Sequence, residues 1–379
     1  MSMALAPREA RRAEALESFR VRGMPHRRFE HWRYSDLRAV LDAGQVAQAG
    51  TAHWQIQHLP DGVEMFDLAK SPAPDWVVQK LGNIGNRPTM EEASLAFADG
   101  GVALRVVRGC RIAEPVRLHV SSGGNLRILV VLEDDASMSL FEVHTIDAGL
   151  VRNVGVDVSL GDGAELSHVR SAPTAPKSFC VEHIAVAAAR NARYRAHFAN
   201  FGSRLSRTEL HILLQGEGAE AHLSGVTVLG AEAHADVTSH IEHVVGKTLS
   251  TQLFKHVAGG RSRAVYQGKI TVREGANGSD SRQTAKALLM SQRAEADLKP
   301  ELIIFADDVK CAHGAAVGDL DAESLFYLRS RGIPEREARK LLIHAFLEEA
   351  IMAIEDSALR DHVWRDVESA LPRAMEAAK

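Results

Sequence analysis

Cysteine is scarce in this chain, with only Cys110, Cys180 and Cys311 and no Cys-x-x-Cys pair. A disulfide framework is therefore excluded, and a reducing, cytoplasmic setting is the default expectation. No apolar run approaches the roughly 18 residues that a membrane span requires. Neither sign of charge dominates: 45 basic residues face 49 acidic ones, and a net charge of -4 argues against a general nucleic-acid binder. The first 38 residues carry nine arginines, but five acidic residues accompany them and no apolar secretory core is present. A basic surface helix is the expectation there, not a targeting peptide. The histidines number 18, yet His-Glu-x-x-His and zinc-finger spacings are absent. Gly259-Gly260 and Ser121-Ser122-Gly123-Gly124 lack the lysine and helix of a phosphate loop.

What the chain does have is a near-repeat. A polar pair followed by a small or apolar residue recurs at Glu133-Asp134-Asp135-Ala136, Asp162-Gly163-Ala164, Arg190-Asn191-Ala192, Glu217-Gly218-Ala219, Glu274-Gly275-Ala276 and Asp307-Asp308-Val309. The first four small residues fall 28, 28 and 27 apart. A double interval comes next, with Gly246-Lys247 near its midpoint as a degenerate copy. Fixed-period self-similarity of this kind marks a solenoid. Between the signatures, Val154-Gly155-Val156-Asp157-Val158-Ser159-Leu160 and Lys269-Ile270-Thr271-Val272-Arg273 alternate apolar side chains at period two, which means strands. A β-sandwich also spaces strands regularly, but it gives no reason for one turn signature to recur at one interval. The expected fold is mainly β, a parallel β-helix over residues 95–318.

Two flanking regions complete the expected organisation. Residues 1–94 read as helical and irregular, with Ala13, Leu16 and Phe19 striping a helix that runs from residue 7 to about 41 and is interrupted near Pro25. Residues 319–379 read as helical. Ala322 to Arg331 forms a short helix, and a second opens at Pro334 with Ala338, Leu341, Leu342, Ala345, Phe346 and Leu347 at helical spacing. That stripe is expected to cap the open end of the stack, to meet another protein, or both.

Cys311 and His313 form the sharpest local pair, because positions i and i+2 of a strand share a face. They could hold a soft or borderline metal, act as nucleophile and base, or simply be a packed cysteine beside a hydrogen-bonded histidine. Two ligands do not complete a metal site. His144, His168, His197 and His222 come after repeat signatures at varying offsets and are expected to form a hydrophilic flank of the strands. Cys110 and Cys180 read as packed cysteines.

The stretch Pro300-Glu301-Leu302-Ile303-Ile304-Phe305-Ala306-Asp307-Asp308-Val309-Lys310-Cys311-Ala312-His313-Gly314-Ala315 resembles the signature of the SufB/SufD family of the SUF iron-sulfur cluster assembly system, in its SufD form. Leu325-Phe326-Tyr327-Leu328-Arg329-Ser330-Arg331-Gly332-Ile333 is similar to the family's pattern just C-terminal to that signature. Weaker similarity reaches back through Val265-Tyr266-Gln267-Gly268-Lys269-Ile270 and Ala287-Leu288-Leu289-Met290-Ser291 to Trp32-Arg33-Tyr34. SufB carries an Arg-Cys-Gly-Ala-His arrangement where this chain has Arg293-Ala294-Glu295-Ala296-Asp297, so the resemblance is to SufD.

The resemblance implies a right-handed parallel β-helix between helical flanks and a non-catalytic scaffold in a cytoplasmic complex of one SufB, one SufD and two SufC subunits. SufC, the ATPase, would dock on the C-terminal helices, and its dimerisation would pull open a SufB/SufD interface where a nascent cluster forms. His313, with Cys311 beside it, is the residue the resemblance ties to that interface, toward iron or the cluster itself. Whether a flavin takes part is left open. Two other readings stay open: a carbohydrate-active β-helix enzyme, and a scaffold that pairs with itself as a homodimer. No nucleic acid and no membrane partner is expected.

Overall fold

In a computed structural model, which describes residues 7–85 and 88–376, the chain winds through two sheets of nine strands each. The first sheet runs from His53–Ile56 through Val116–Ser121, Ser137–His144, Glu165–Ala172, Arg193–Asn200, Glu220–Leu229, Leu249–Ala258 and Ser279–Leu289 to Val309–Gly318. The second runs from Val63–Asp67 through Gly101–Val106, Gly124–Leu132, Val151–Leu160, Ala175–Ala188, Ser203–Leu214, His234–His243 and Arg263–Val272 to Glu295–Ile304. From Gly101 onward successive strands alternate between the sheets, and every neighbour within a sheet is parallel. This is the expected solenoid. Only the first strand of each sheet pairs antiparallel, so the chain reverses direction at the N-terminal end.

The near-repeat has a stereochemical cause. Each copy is the corner at which a second-sheet strand turns into the next first-sheet strand, and it needs one residue in the left-handed region. Asp135 (φ 56°), Gly163 (66°), Asn191 (56°), Gly218 (73°) and Lys247 (55°) supply it; Asp, Asn and Gly are the residues that reach this conformation most readily. The corners also bond to one another, Asp135 N to Asp162 O at 2.8 Å, Gly163 N to Arg190 O at 2.8 Å and Lys247 N to Asn277 O at 2.9 Å. Asp134 and Asp162 each accept a further bond from the backbone N of the next corner. The residue after each left-handed one is buried and small, Ala136, Ala164, Ala192, Ala219 and Thr248, where the backbone doubles back. Gly246-Lys247 is a true copy. The Ala276 copy is displaced: register stacks Ser279 on Thr248, and Gly275 (φ 78°) makes an extra turn that lengthens this coil.

Helices cover both flat faces. Thr89–Phe97 lies on the second sheet, and its Met90 and Ala93 join Phe19, Trp32, Val181 and Leu205 in one apolar cluster. The helix expected to reach residue 41 stops at Arg22: Gly23 takes φ 68°, and only short 3₁₀ turns at Glu30–Trp32 and Leu37–Ala39 come after it. At the C-terminus, Ala322–Ser330, Glu335–Ile351 and Ser357–Ala374 are helical. The last two neither cap the end of the stack nor stand free. They lie on the outer face of the first sheet, where Ile343, Leu347, Val363 and Val367 pack against Phe141, Val169, Val226 and Val257. Each fully buried aliphatic side chain there contributes about 1.5–3 kcal/mol. The predicted stripe therefore divides. Ala338 and Leu347 are buried, Phe346 is half-buried under the Lys255 ammonium, and Leu341 and Ala345 face solvent.

Candidate functional site

The C-terminal end of the solenoid is left open. Glu295–Ile304 and Val309–Gly318 are the edge strands of the two sheets, each with a neighbour on one side only. Ile304, Phe305 and Val317 are exposed there, Phe305 to 63%. An edge of this length with apolar side chains is a template for another strand.

Cys311 and His313 sit on the second of these strands. Register places Cys311 beside Ser281 and His313 beside Gln283. Both neighbours point into the lumen, Ser281 bonding Ser250 and Gln283 bonding the Tyr266 hydroxyl. The pair thus lies on the lumen face of the last coil, where no further coil covers it. Cys311 is half-buried against Ile270, Val272 and Ala276, and His313 is exposed. Burial pushes the Cys311 thiol up, and the Asp280 carboxylate adds to the shift. Among the described residues no third histidine, cysteine or carboxylate closes on the pair. Cys110 and Cys180 pack as expected, the first half-buried against the central core and the second buried.

The expected hydrophilic flank of histidines is not found. His144, His168 and His197 are buried, and only His222 is half-exposed. His144 and His168 point into the lumen, where Glu142 sits 2.7 Å from His144 Nε2 and 3.2 Å from His168 Nε2. His144 Nδ1 lies 2.8 Å from Glu182, which also pairs with Arg170, and His168 Nδ1 lies 2.9 Å from the Tyr194 hydroxyl. Burial alone would raise the Glu142 carboxyl, but the contacts with His168 and His144 outweigh it and hold it well below the usual carboxylate range. Glu142 and His144 share one strand two residues apart, while His168, Arg170, Glu182 and Tyr194 come from later strands and the facing sheet, so the full cluster forms only when the coils are stacked. His197 instead faces outward beneath the helix Glu335–Ile351, its Nδ1 bonded to Ser224.

The profile described as SUF system FeS cluster assembly, SufBD core domain, matches residues 118–346. The chain belongs to the SufBD family. The match spans the coils from the second first-sheet strand to the outer C-terminal helices, so it includes both edge strands and the Cys311/His313 pair. Among curated relatives, the chain is 29% identical to iron-sulfur cluster assembly protein SufD of Escherichia coli, over 92% of this chain and 90% of that protein. It is 33% identical to a SufBD family protein of Synechocystis, over 62% of this chain and 54% of the relative. It is also 29% identical to SufD of Bacillus subtilis, over 66% of this chain and 60% of that protein. SufBD membership gives the chain a part in SUF iron-sulfur cluster assembly. Among the described residues no helix is long and apolar enough to cross a membrane.

Proposed function

We propose that this chain is a non-catalytic scaffold subunit of the SUF machinery, joined through its open end to SufB and through its C-terminal helices to the ATPase SufC. The observation that carries the reading is the pair of unpaired edge strands with Cys311 and His313 on the uncovered lumen face of one of them. A thiol and an imidazole are half of a tetrahedral metal site, and a partner solenoid abutting this end would bring further ligands. Iron or a nascent cluster would be held between the two chains as cargo. For SufC the supporting feature is the helix Ala322–Ser330, which has no buried residue and exposes Phe326 (74%) and Tyr327, together with Leu341 on the next helix. The setting that fits these partners is cytoplasmic.

Mixing the purified chain with SufB and SufC and measuring the mass of the product tests the assembly, which is expected to contain all three. A chain that pairs only with itself would replace this reading with a homodimer. Within the complex, His313→Ala is expected to lower cluster yield at least ~10-fold without loss of subunits, equivalent to about 1.4 kcal/mol. Unchanged yield would remove His313 from the site. Leu341→Asp is expected to weaken SufC binding ~10-fold while the far-UV circular dichroism and the SufB contact stay intact, since a desolvated charge replaces an apolar contact. Equal SufC affinity would place the docking face elsewhere.

A further inference from the structure

A second group of ligand-type side chains lies on the outer face of the second sheet, on the third and fourth strands from its open edge. His211 on Ser203–Leu214 and His240 on His234–His243 are direct register partners, and their rings stack with centroids 5.1 Å apart and planes 14° from parallel. Glu242 stands two residues beyond His240 on the same face. Its Oε1 lies 2.7 Å from His211 Nε2 and 3.8 Å from His240 Nδ1, and the three ligand atoms fall within 4.8 Å of one another. Ligand atoms bound at zinc distances in a tetrahedron stand about 3.3 Å apart, so the observed separations bracket what a shared cation needs.

His211 Nε2 and Glu242 Oε1 are hydrogen-bonded to each other, a contact that a bound cation would replace, and the other polar atoms of His240 and Glu242 are engaged in ways that orient the trio. His240 Nε2 lies 3.0 Å from Thr271 Oγ1; donating there leaves Nδ1 as a lone pair aimed toward Glu242. Arg273 Nε bonds Glu242 Oε2 at 3.0 Å, fixing the carboxylate with Oε1 toward the imidazoles. Gly85 packs against the far edge of the His211 ring, where a Cβ would come within 2.6 Å of Nδ1. His211 and His240 border a cleft of about 770 Å³ beneath His31, Thr89 and Lys299, which leaves room for an exchangeable fourth ligand.

We propose that His211, His240 and Glu242 form a three-ligand site for a divalent first-row transition cation of the zinc or ferrous class, with one coordination position open to the cleft. Two imidazoles and one carboxylate suit such ions better than calcium or magnesium, which prefer oxygen throughout. Nearby Lys269 and Arg273 oppose a second positive charge, and Arg273 is itself neutralised by Glu242. The site does not depend on SufB, SufC or the Cys311/His313 pair.

The test uses the full chain, free of any affinity tag and stripped with chelator, titrated with Co²⁺ as a spectroscopic probe and then with Zn²⁺ and anaerobic Fe²⁺ in competition. One equivalent of Co²⁺ is expected to give visible d–d absorption without a thiolate-to-metal charge-transfer band, and to raise the melting temperature. The double variant Cys311→Ser, His313→Ala is expected to keep that spectrum. Glu242→Gln and His240→Gln are expected to weaken binding ~100-fold and Thr271→Val ~10-fold, each with an unchanged circular dichroism spectrum. Absence of stoichiometric binding to the wild-type chain, or a thiolate band lost in the Cys311→Ser variant, would overturn the site whether or not the histidine variants fold. Because the assembly reading is scored on SufB and SufC, either result leaves the other standing.

Discussion

Replacing Arg207 by methionine is expected to destabilise the chain by about 3–5 kcal/mol, the range for breaking a buried ion pair by removing one partner. Arg207 is wholly buried, and its guanidinium serves both the second sheet and the N-terminal segment. It pairs with Asp236 and bonds Glu209 through Nε at 3.0 Å and Nη2 at 2.7 Å. Nη2 also donates to the His31 carbonyl at 2.6 Å, and the guanidinium carbon lies 4.1 Å from the centre of the Trp32 ring. Removing the cation strands two buried carboxylates and frees Trp32 from its charged face. Ser35, which donates to Asp236 at 2.5 Å, would feel the same loss. Urea denaturation followed by tryptophan fluorescence reads the effect, with the segment around Trp32 released first. A loss below about 1 kcal/mol would mean that water already reaches these carboxylates. The related triple change of Arg207, Glu209 and Asp236 to apolar residues of similar volume is expected to recover most of the stability, since no uncompensated charge remains.

Acid is expected to unfold this chain well above the carboxylate range. His197, His243 and His256 are buried, and burial holds them down at about 3, 4 and 4 respectively. In the unfolded chain a histidine titrates near 6.5, so below that pH the unfolded state binds protons the folded state refuses. Stability is therefore fully present above about pH 7, falls as pH drops through 6.5, and levels off only near the folded values. Each histidine contributes about 1.4 kcal/mol per pH unit within that window, so the three together remove about 4 kcal/mol between pH 6 and pH 5. The urea midpoint at pH 7.5, 6.0 and 5.0 measures this; a midpoint that does not move would contradict it. His256 offers the sharper control, because neither ring nitrogen has a hydrogen-bond partner. His256→Leu is expected to reduce the slope by about 1.4 kcal/mol per pH unit and to raise stability at pH 5.

The solenoid was legible because its corners are stereochemically demanding. A left-handed residue next to a residue that must be small leaves a mark in composition, and stacking repeats that mark at the length of a coil. Lys247 shows the limit: a lysine in the left-handed region carries no compositional signal, and only its place midway in a double interval betrays it. Helix faces were harder. Leu341 and Leu347 look alike in a periodic stripe, and only the position of the first sheet decides which of them it covers. Cys311 and His313 could be found because strand geometry puts i and i+2 together locally. The lumen cluster around Glu142 and the trio of His211, His240 and Glu242 each hold such a pair, Glu142 with His144 and His240 with Glu242, but their remaining members come together only through register between coils. One signal was available for the trio: His211 and His240 are one coil apart in sequence, and in a solenoid that separation means adjacency. Arg207 carried the same sign toward Asp236, one coil on, and Glu209, two residues on, but its partners His31 and Trp32 in the N-terminal segment lie outside the repeat altogether.

The two ends of the stack are unlike, with antiparallel strands reversing direction at one and bare parallel edges at the other. The edge strands at the first end are only 4 and 5 residues long, whereas those at the second are 10 each. Once the long edges meet those of a like-built molecule, only the short antiparallel ones remain exposed, so association favours a pair over a fibre.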